Sequence, residues 1–474
     1  MTSVVMNYIE CSRLCANGTA SELLPTTNAF YSLSYKMLDA LKDYEMWVIA
    51  FSGGKDSTLL LHLVTAYICD RIETGSTVPQ KVIVIYNDTL AELPPVHRWA
   101  ISTLYAWKEF MAKIGVDVDV HITKPDITST FYWRVIIRGY PAPTFRFRWC
   151  AELLKIVPAK EFFKELNRVS ESKRVVLLIG SRDDESTARR RSNNKRARLS
   201  RPVGRSFESF LLHTDYPNVV KVAPLRHWEE ASVWEFLAET TPPWSNNNNG
   251  VDSLDYGELL RLYGVNRELI FEAISRLARS KRRKKNNSNK LPIKARFGCW
   301  FCSVSKRHFG FQTLLGYDEY RWLEPLWKLR LLYMLLSDIK AFRVRKSNGY
   351  SRLGALIKLA RGLIYSSIGE VAQRSPQGKE LFYGLFERLE TREGPLSLWE
   401  VLYQAEPQES IRLIRSLDRS PRAAEVTAKD LEEWRAGAEN ILMKLEKIIN
   451  AEGDNSDREK FEHIKSIVRD LDLA

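Results

Sequence analysis

Hydrophobic positions along this 474-residue chain follow two regimes, and the change comes near residue 225. Before it, short β-branched runs recur at 47–51, 81–86, 116–122 and 175–179, with longer helical stretches between them. That alternation predicts an α/β fold with a parallel sheet and helices on both faces. Leu59, Leu60, Leu63, Val64, Tyr67 and Ile68 repeat at helical spacing, which makes 59–68 a helix with His62 and Cys69 as packing residues. Past 222–225, residues 228–237 read as a helix that ends at Thr241-Pro242-Pro243-Trp244 and a run of asparagines closing on Gly250. Beyond about 353 the pattern is helical. Thr427-Ala428-Lys429-Asp430 predicts a capping box ahead of the stripe Leu431, Trp434, Ala438, Ile441, Leu442, Leu445 and Ile448. A last helix carries Phe461, Ile464, Ile467 and Val468 on one face. The predicted organisation is an N-terminal segment 1–35, a nucleotide-binding domain 36–240, a cysteine-pair and basic-loop region 241–352, and a helical packing or partner-binding region 353–474.

The chemistry concentrates where the first run ends. Phe51-Ser52-Gly53-Gly54-Lys55-Asp56-Ser57-Thr58 joins a strand to a helix, so its backbone N–H groups and the helix dipole favour an anion. The loop lacks the spacing and the Gly-Lys-Ser/Thr ending of a Walker A sequence. Ser52, Ser57 and Thr58 offer hydroxyls, Lys55 a compact positive charge, and Asp56 a carboxylate for Mg²⁺. Two further segments follow strands: Asp88-Thr89, read either as a partner for adenine or ribose or as a turn-forming pair, and Gly180-Ser181-Arg182-Asp183-Asp184-Glu185-Ser186. There Arg182 would stabilise charge on a reacting phosphoryl group. Ligands of such sheets bind at the carboxyl ends of the strands, so the three segments are expected to share one crevice.

Six cysteines in a long chain without a secretory leader point to metal or redox chemistry rather than a disulfide framework. Cys299-Trp300-Phe301-Cys302 is a two-thiol turn, and Cys150, after Tyr140-Pro141-Ala142-Pro143, is the expected third ligand of a [4Fe–4S] cluster. Zinc, redox-active thiols and plain burial are the alternatives; Cys11 and Cys15 read as core residues or an added ligand, and His308 as a packing residue or a proton carrier. Lys plus Arg exceeds Asp plus Glu by 71 − 58 = 13. Nine basic residues between Arg182 and Arg205 and the run Lys281–Lys285 would suit a nucleic-acid backbone. With no apolar stretch of membrane-spanning length, the expectation is a cytoplasmic protein without membrane contact.

Together these motifs resemble the phosphoadenosine-phosphosulfate reductase superfamily of ATP pyrophosphatases, and within it the DNA phosphorothioation sulfurtransferases of the DndC type. The matching segments are 51–61, 87–94 (Asn-Asp-Thr-Leu-Ala-Glu-Leu-Pro), 148–158, 180–189, 224–237 with 243–244, and 296–303 leading to 322–332. The resemblance implies a Rossmann-like, adenine-nucleotide α-hydrolase-like fold that splits ATP between its α and β phosphates. It also implies catalytic roles for Lys55, Asp56 and Arg182. Ser52, Gly53, Gly54, Lys55, Asp56, Ser57, Thr58, Asp88, Thr89, Gly180, Ser181, Arg182 and Glu185 would bind the nucleotide, and Cys150, Cys299 and Cys302 an iron–sulfur cluster. The implied substrate is DNA, with sulfur from a cysteine desulfurase and further subunits of a DNA-modification complex as partners. A tRNA thiolase and a phosphoadenosine-phosphosulfate reductase are the enzymatic rivals, although no cysteine follows Cys302 as a reductase of that kind would require. A non-catalytic, ATP-gated DNA-binding subunit is the rival from another class.

Overall fold

The computed structural model describes residues 25–169, 174–185, 187–200, 210–212, 219–245, 255–282, 293, 296–304, 307–346, 349–350 and 354–472. Cys11, Cys15, Ser186, the asparagine run with Gly250, and 283–285 of the basic run lie outside these residues. Two compact units account for the chain, and they are interleaved in sequence. The first takes 1–87, 95–123 and 161–294; the second takes 88–94, 124–160 and 295–474.

The first unit is built on a six-stranded sheet. Its strands are β1 (Met46–Phe51), β2 (Lys81–Asn87), β3 (Val118–Thr123), β4 (Val175–Leu178), β5 (Phe210–Leu212) and β6 (Val219–Val222), in the order β3-β2-β1-β4-β6-β5. Five are parallel, and β5 runs antiparallel on the edge beside β6. Near-continuous apolar runs are what a sheet buried on both faces requires. On one face Met46, Val48, Ile83, Ile85, Val175, Leu177 and Val219 pack with Phe163 and Leu166 of the helix Val157–Val169. The intervening residue Trp47 points to the other face and stacks on Tyr67 of the helix Lys55–Glu73. The sheet is thus a doubly covered, Rossmann-like nucleotide-binding fold, as its pattern predicts. His62 and Cys69 are buried in that helix, and His62 shares a hydrogen bond of 2.8 Å with the Tyr256 hydroxyl.

The second unit is mainly helical. Its central helix, Lys358–Arg374, is buried along most of its length and packs with Glu324–Asp338, Ala428–Arg435 and Ala438–Glu452. The capping box is present: Asp430 N–H donates to the Thr427 hydroxyl, and Thr427 N–H donates to the Asp430 carboxylate. The stripe after it is not one helix. Gly437, at φ +113°, separates Ala428–Arg435 from Ala438–Glu452, and beyond the break Ile449 rather than Ile448 is fully buried. A positive φ is cheap only for glycine, which is why the chain breaks there. The final helix, Asn455–Asp472, buries Phe461, Ile464, Ile467 and Val468. Among the described residues no helix is long and apolar enough to cross a membrane.

Candidate functional site

In the first unit, the loop Ser52–Gly54 lies at the carboxyl end of β1, and Gly180–Arg182 follows the neighbouring parallel strand β4. Gly53 has φ +70°, and a Cβ there would stand 2.8 Å from the Ala100 Cβ, so both conformation and space demand glycine. Its carbonyl accepts from Trp99 Nε1 at 3.1 Å. Ser57 braces the loop from within: its Oγ accepts from Ser52 N–H at 3.1 Å and donates to the Gly54 carbonyl at 2.9 Å. Ser52 Oγ lies 3.1 Å from the same atom. Thr58 Oγ1 is buried and has no hydrogen-bond partner among the described residues. Gly180 is a close-approach position, since a Cβ would fall 3.0 Å from the Asp56 carbonyl oxygen. The two segments therefore meet backbone to backbone.

Asp56 is the centre of this site. Its Oδ1 accepts from Arg182 Nε at 2.6 Å and its Oδ2 from Lys55 Nζ at 3.0 Å. Burial pushes the Asp56 carboxyl up, but Lys55 and Arg182 together outweigh it and hold it below the usual aspartate value. Burial likewise pulls the Lys55 ammonium down, and Asp56, Tyr263 and Glu230 reverse the sign and raise it. Lys55 is held from three sides, through its backbone and its ammonium group. Its N–H donates to the Tyr263 hydroxyl at 3.3 Å, and its Nζ lies 5.8 Å from the Trp234 ring and 4.0 Å from Glu230. Motif reading did not find Tyr263, Trp234 or Glu230, because they come from helices far along the chain. The aromatic density of 228–263 was the one available signal.

Arg182 is fully buried and also donates to the Trp228 carbonyl at 3.2 Å. The acidic residues beside it brace structure. Asp183 takes Arg226 Nε at 3.0 Å and Asn193 Nδ2 at 2.8 Å. Asp184 accepts the first free N–H of the helix Glu230–Glu239 from Glu230, and Glu185 accepts from the Arg182 N–H at 3.1 Å. Ser181 is buried, with its Oγ 3.4 Å from Asn193 Nδ2. On the following helix, Thr187–Ser200, Arg190, Arg191 and Lys195 are exposed.

Asp88 and Thr89 belong to the second unit, and their side chains are engaged there. Asp88 Oδ1 accepts from Leu90 N–H and from the Tyr383 hydroxyl, each at 2.8 Å. Leu90 is buried at φ +59°, and a side chain on Gly384 would collide with its carbonyl. A strained residue held by such close packing fixes the path of 88–92. Thr89 Oγ1 donates to Glu92 Oε1 at 3.0 Å and lies 3.3 Å from Cys299 Sγ. Lys155 Nζ is 3.5 Å from the same Glu92 oxygen. Sequence reasoning missed both Glu92 and Lys155.

The cysteine turn is closed by Cys302 N–H donating to the Cys299 carbonyl at 3.0 Å and anchored by Trp300 N–H on the Ala91 carbonyl at 2.9 Å. Between the thiols, Trp300 and Phe301 are buried, and Phe301 stacks on Phe131 at 4.1 Å and on Trp149 at 6.0 Å. That stacking brings Cys150, the residue after Trp149, to the turn. Burial raises the Cys150 thiol first and Cys302 raises it further; burial, then Glu92, lifts Cys299 far above the free-thiol range. Burial thus disfavours the thiolate at Cys150 and Cys299, and Lys155 opposes that effect at both. Three thiols in one neighbourhood are a donor set of the right chemistry for an iron–sulfur cluster. Among the described residues, however, no three His, Cys, Asp or Glu side chains are arranged at coordinating positions. His308 supports the turn: its Nδ1 accepts from Phe311 N–H at 3.2 Å, so Nε2 carries the proton and donates to the Cys299 carbonyl at 3.3 Å.

Residues 46–246, fewer than half of the chain, match the family described as phosphoadenosine phosphosulfate reductase domain. Two uncharacterized proteins of Methanocaldococcus jannaschii are similar at 24% identity over 198 residues and 26% over 188, covering 42% and 40% of this chain. The matched segment spans about a third of the length of these curated relatives, 32% and 34%. Among solved structures, phosphoadenylyl-sulfate reductase from Candida auris, in a phosphate complex, matches at 16% identity with a TM-score of 0.26, covering 42% of this chain and 75% of that one. FMN adenylyltransferase from Candida glabrata, in complex with FAD and inorganic pyrophosphate, matches at 16% with a TM-score of 0.29, covering 48% and 66%.

Proposed function

We propose that this protein is an ATP-dependent sulfurtransferase that adenylylates a backbone phosphate of DNA and replaces a non-bridging oxygen with sulfur. The observation that carries the reading is the Lys55–Asp56–Arg182 triad, in which the buried Arg182 after β4 meets part-buried Lys55 and Asp56 at the end of the two-glycine loop after β1. Such a triad is held ready for a polyanion. When triphosphate enters, Lys55 turns from Asp56 to the phosphates, and the released Asp56 oxygen is free for Mg²⁺, which would neutralise the departing pyrophosphate. Arg182 stays with Asp56 and keeps the carboxylate ionised. A non-bridging DNA oxygen attacks the α-phosphorus as the bond to the β-phosphate oxygen breaks, and pyrophosphate leaves. Sulfide then attacks the DNA phosphorus, and AMP departs with the original oxygen. No electrons change hands in this exchange.

The second unit supplies the supporting chemistry for sulfur. Cys150, Cys299 and Cys302 would hold a [4Fe–4S] cluster, which when bound offers an iron open to sulfide. Lys155 stands beside the thiols as the cation that stabilises their ionised form. Sulfide would come from a cysteine desulfurase, and the exposed Arg190, Arg191 and Lys195 suit a DNA backbone.

The test is mass spectrometry of nuclease-digested host DNA for phosphorothioate dinucleotides, with and without this protein; their equal abundance in both would sink the reading. A reductase acting on phosphoadenosine phosphosulfate is the second reading, favoured by the family match over 46–246. Release of sulfite from that compound by the purified protein with a thiol reductant would select it instead.

A further inference from the structure

The helical part of the second unit holds a feature the sulfur-transfer reading does not use. A one-turn π-helix, Glu400–Gln404, interrupts the helical pattern just after Trp399, and such turns are rare and concentrate at functional positions. It aligns a column of four aromatic rings. Buried Tyr365 stacks on Tyr403 at 4.3 Å and 14°, Tyr403 on Trp399 at 4.7 Å and 17°, and Trp399 on Phe386 at 4.7 Å and 28°. The three outer rings are part-exposed and line an open groove of about 570 Å³. Ring stacking that continues from the core to the surface leaves its last member, Phe386, with an incomplete stack.

Two cations border the same groove. Lys379 Nζ lies 5.9 Å from the Phe386 centroid, and among the described residues no carboxylate pairs with it. Arg388 is exposed, with one nitrogen on Glu400 and another on the Pro395 carbonyl. A guanidinium has five donors, so an anion can still be accepted there. Glu400 is itself anchored by Ser397 N–H at 2.7 Å, which fixes Arg388 at the rim. A planar apolar surface with cations at its edge selects a ligand that joins a planar ring to an anion, and the volume suits one such unit.

We propose that this groove binds a nucleotide unit, its base stacked at the Phe386 end of the column and its phosphate on Lys379 and Arg388. The proposal does not rest on the sulfur-transfer reading, since none of the residues lining the groove is one that reading uses. Two sources share this chemistry, a free mononucleotide and a nucleotide within a single strand.

Photo-crosslinking of the full chain tests it, with 5-iodo-deoxyuridine monophosphate in one arm and a single-stranded oligonucleotide carrying one 5-iodouracil in the other. Crosslinks mapped by peptide mass spectrometry are expected on Phe386, Trp399 or Tyr403. Labelling by the free nucleotide assigns a mononucleotide site, and labelling by the oligonucleotide alone assigns a strand site. Phe386→Ala is expected to cut labelling about tenfold. Lys379→Glu, an exposed change that does not disturb packing, is expected to do the same, while Lys55→Ala leaves it intact. The proposal is overturned if neither probe labels these rings, if Lys379→Glu leaves labelling unchanged, or if Lys55→Ala abolishes it. The last outcome would return the signal to the β1 loop.

Discussion

Asp56 shows how much a single carboxylate can organise. Both of its oxygens are taken by cations, one of them the fully buried Arg182, so losing its charge leaves that guanidinium with only the more distant Asp184 at 3.7 Å. Asp56→Asn is expected to lower pyrophosphate release from ATP by about 100-fold or more, the scale seen when a preorganised charge is removed from a phosphoryl or oxyanion site. A second prediction concerns His62, whose burial depresses its pKa to about 3, against 6.5 when exposed. The native state keeps it neutral while the unfolded chain takes up a proton below pH 6.5. Its contribution is therefore complete above pH 6.5 and is lost as pH falls toward 3, about 2 kcal/mol by pH 5. Urea denaturation at pH 7.5 and pH 5 should show that loss, and His62→Phe should flatten it. Of the two residues, Asp56 was legible as chemistry from its motif and His62 as packing from its helical spacing. Their partners Arg182 and Tyr256 were not legible as partners, because contacts across 126 and 194 residues leave no local mark.

At the scale of elements, turns and joints carry the strain. Gly53→Ala forces a side chain into a left-handed conformation and against Ala100, so it should abolish nucleotide binding by isothermal titration while the far-ultraviolet circular dichroism keeps its α/β signature. In the second unit Asp418 joins the π-helical turn Trp133–Ile137 to the end of the helix Pro407–Leu417. It accepts from Arg138 Nε at 2.7 Å, Arg138 Nη2 at 2.8 Å and Trp133 Nε1 at 2.7 Å. Burial works against its charge, but these bonds hold its pKa at about 2, so the joint is intact above the ordinary aspartate range and weakens as pH drops toward 2. Asp418→Asn should cost about 2–3 kcal/mol in chemical denaturation at pH 7, less than a fully buried pair because Arg138 is partly solvated. The capping box at Thr427 was readable because capping is local. The break at Gly437 was missed because an apolar stripe continues across it and masks the change of axis.

For the whole molecule, the excess of 13 positive charges and the exposed Arg190, Arg191 and Lys195 predict DNA affinity that falls steeply between 50 and 200 mM salt, by about 10-fold or more. Fluorescence anisotropy with a labelled duplex measures it, and a flat salt response would remove the backbone-contact proposal. Anaerobically purified protein should carry iron and labile sulfide, and Cys299→Ser should reduce the iron to about a tenth. Unchanged iron in that variant would dismiss the cluster.

By itself the sequence determined the sheet and the anion loop. β-branched runs at regular intervals admit little but a parallel sheet, and two glycines at a strand-to-helix junction admit little but a tight, amide-lined turn. Tertiary structure alone decided which side chains meet. It placed Thr89 and Glu92 with Cys299, turned Asp183, Asp184 and Glu185 to bracing, and drew Tyr263 and Trp234 around Lys55. The physical reason is that backbone conformation is set by neighbours a few residues away, whereas a buried charge or thiol is set by whatever the packing brings beside it.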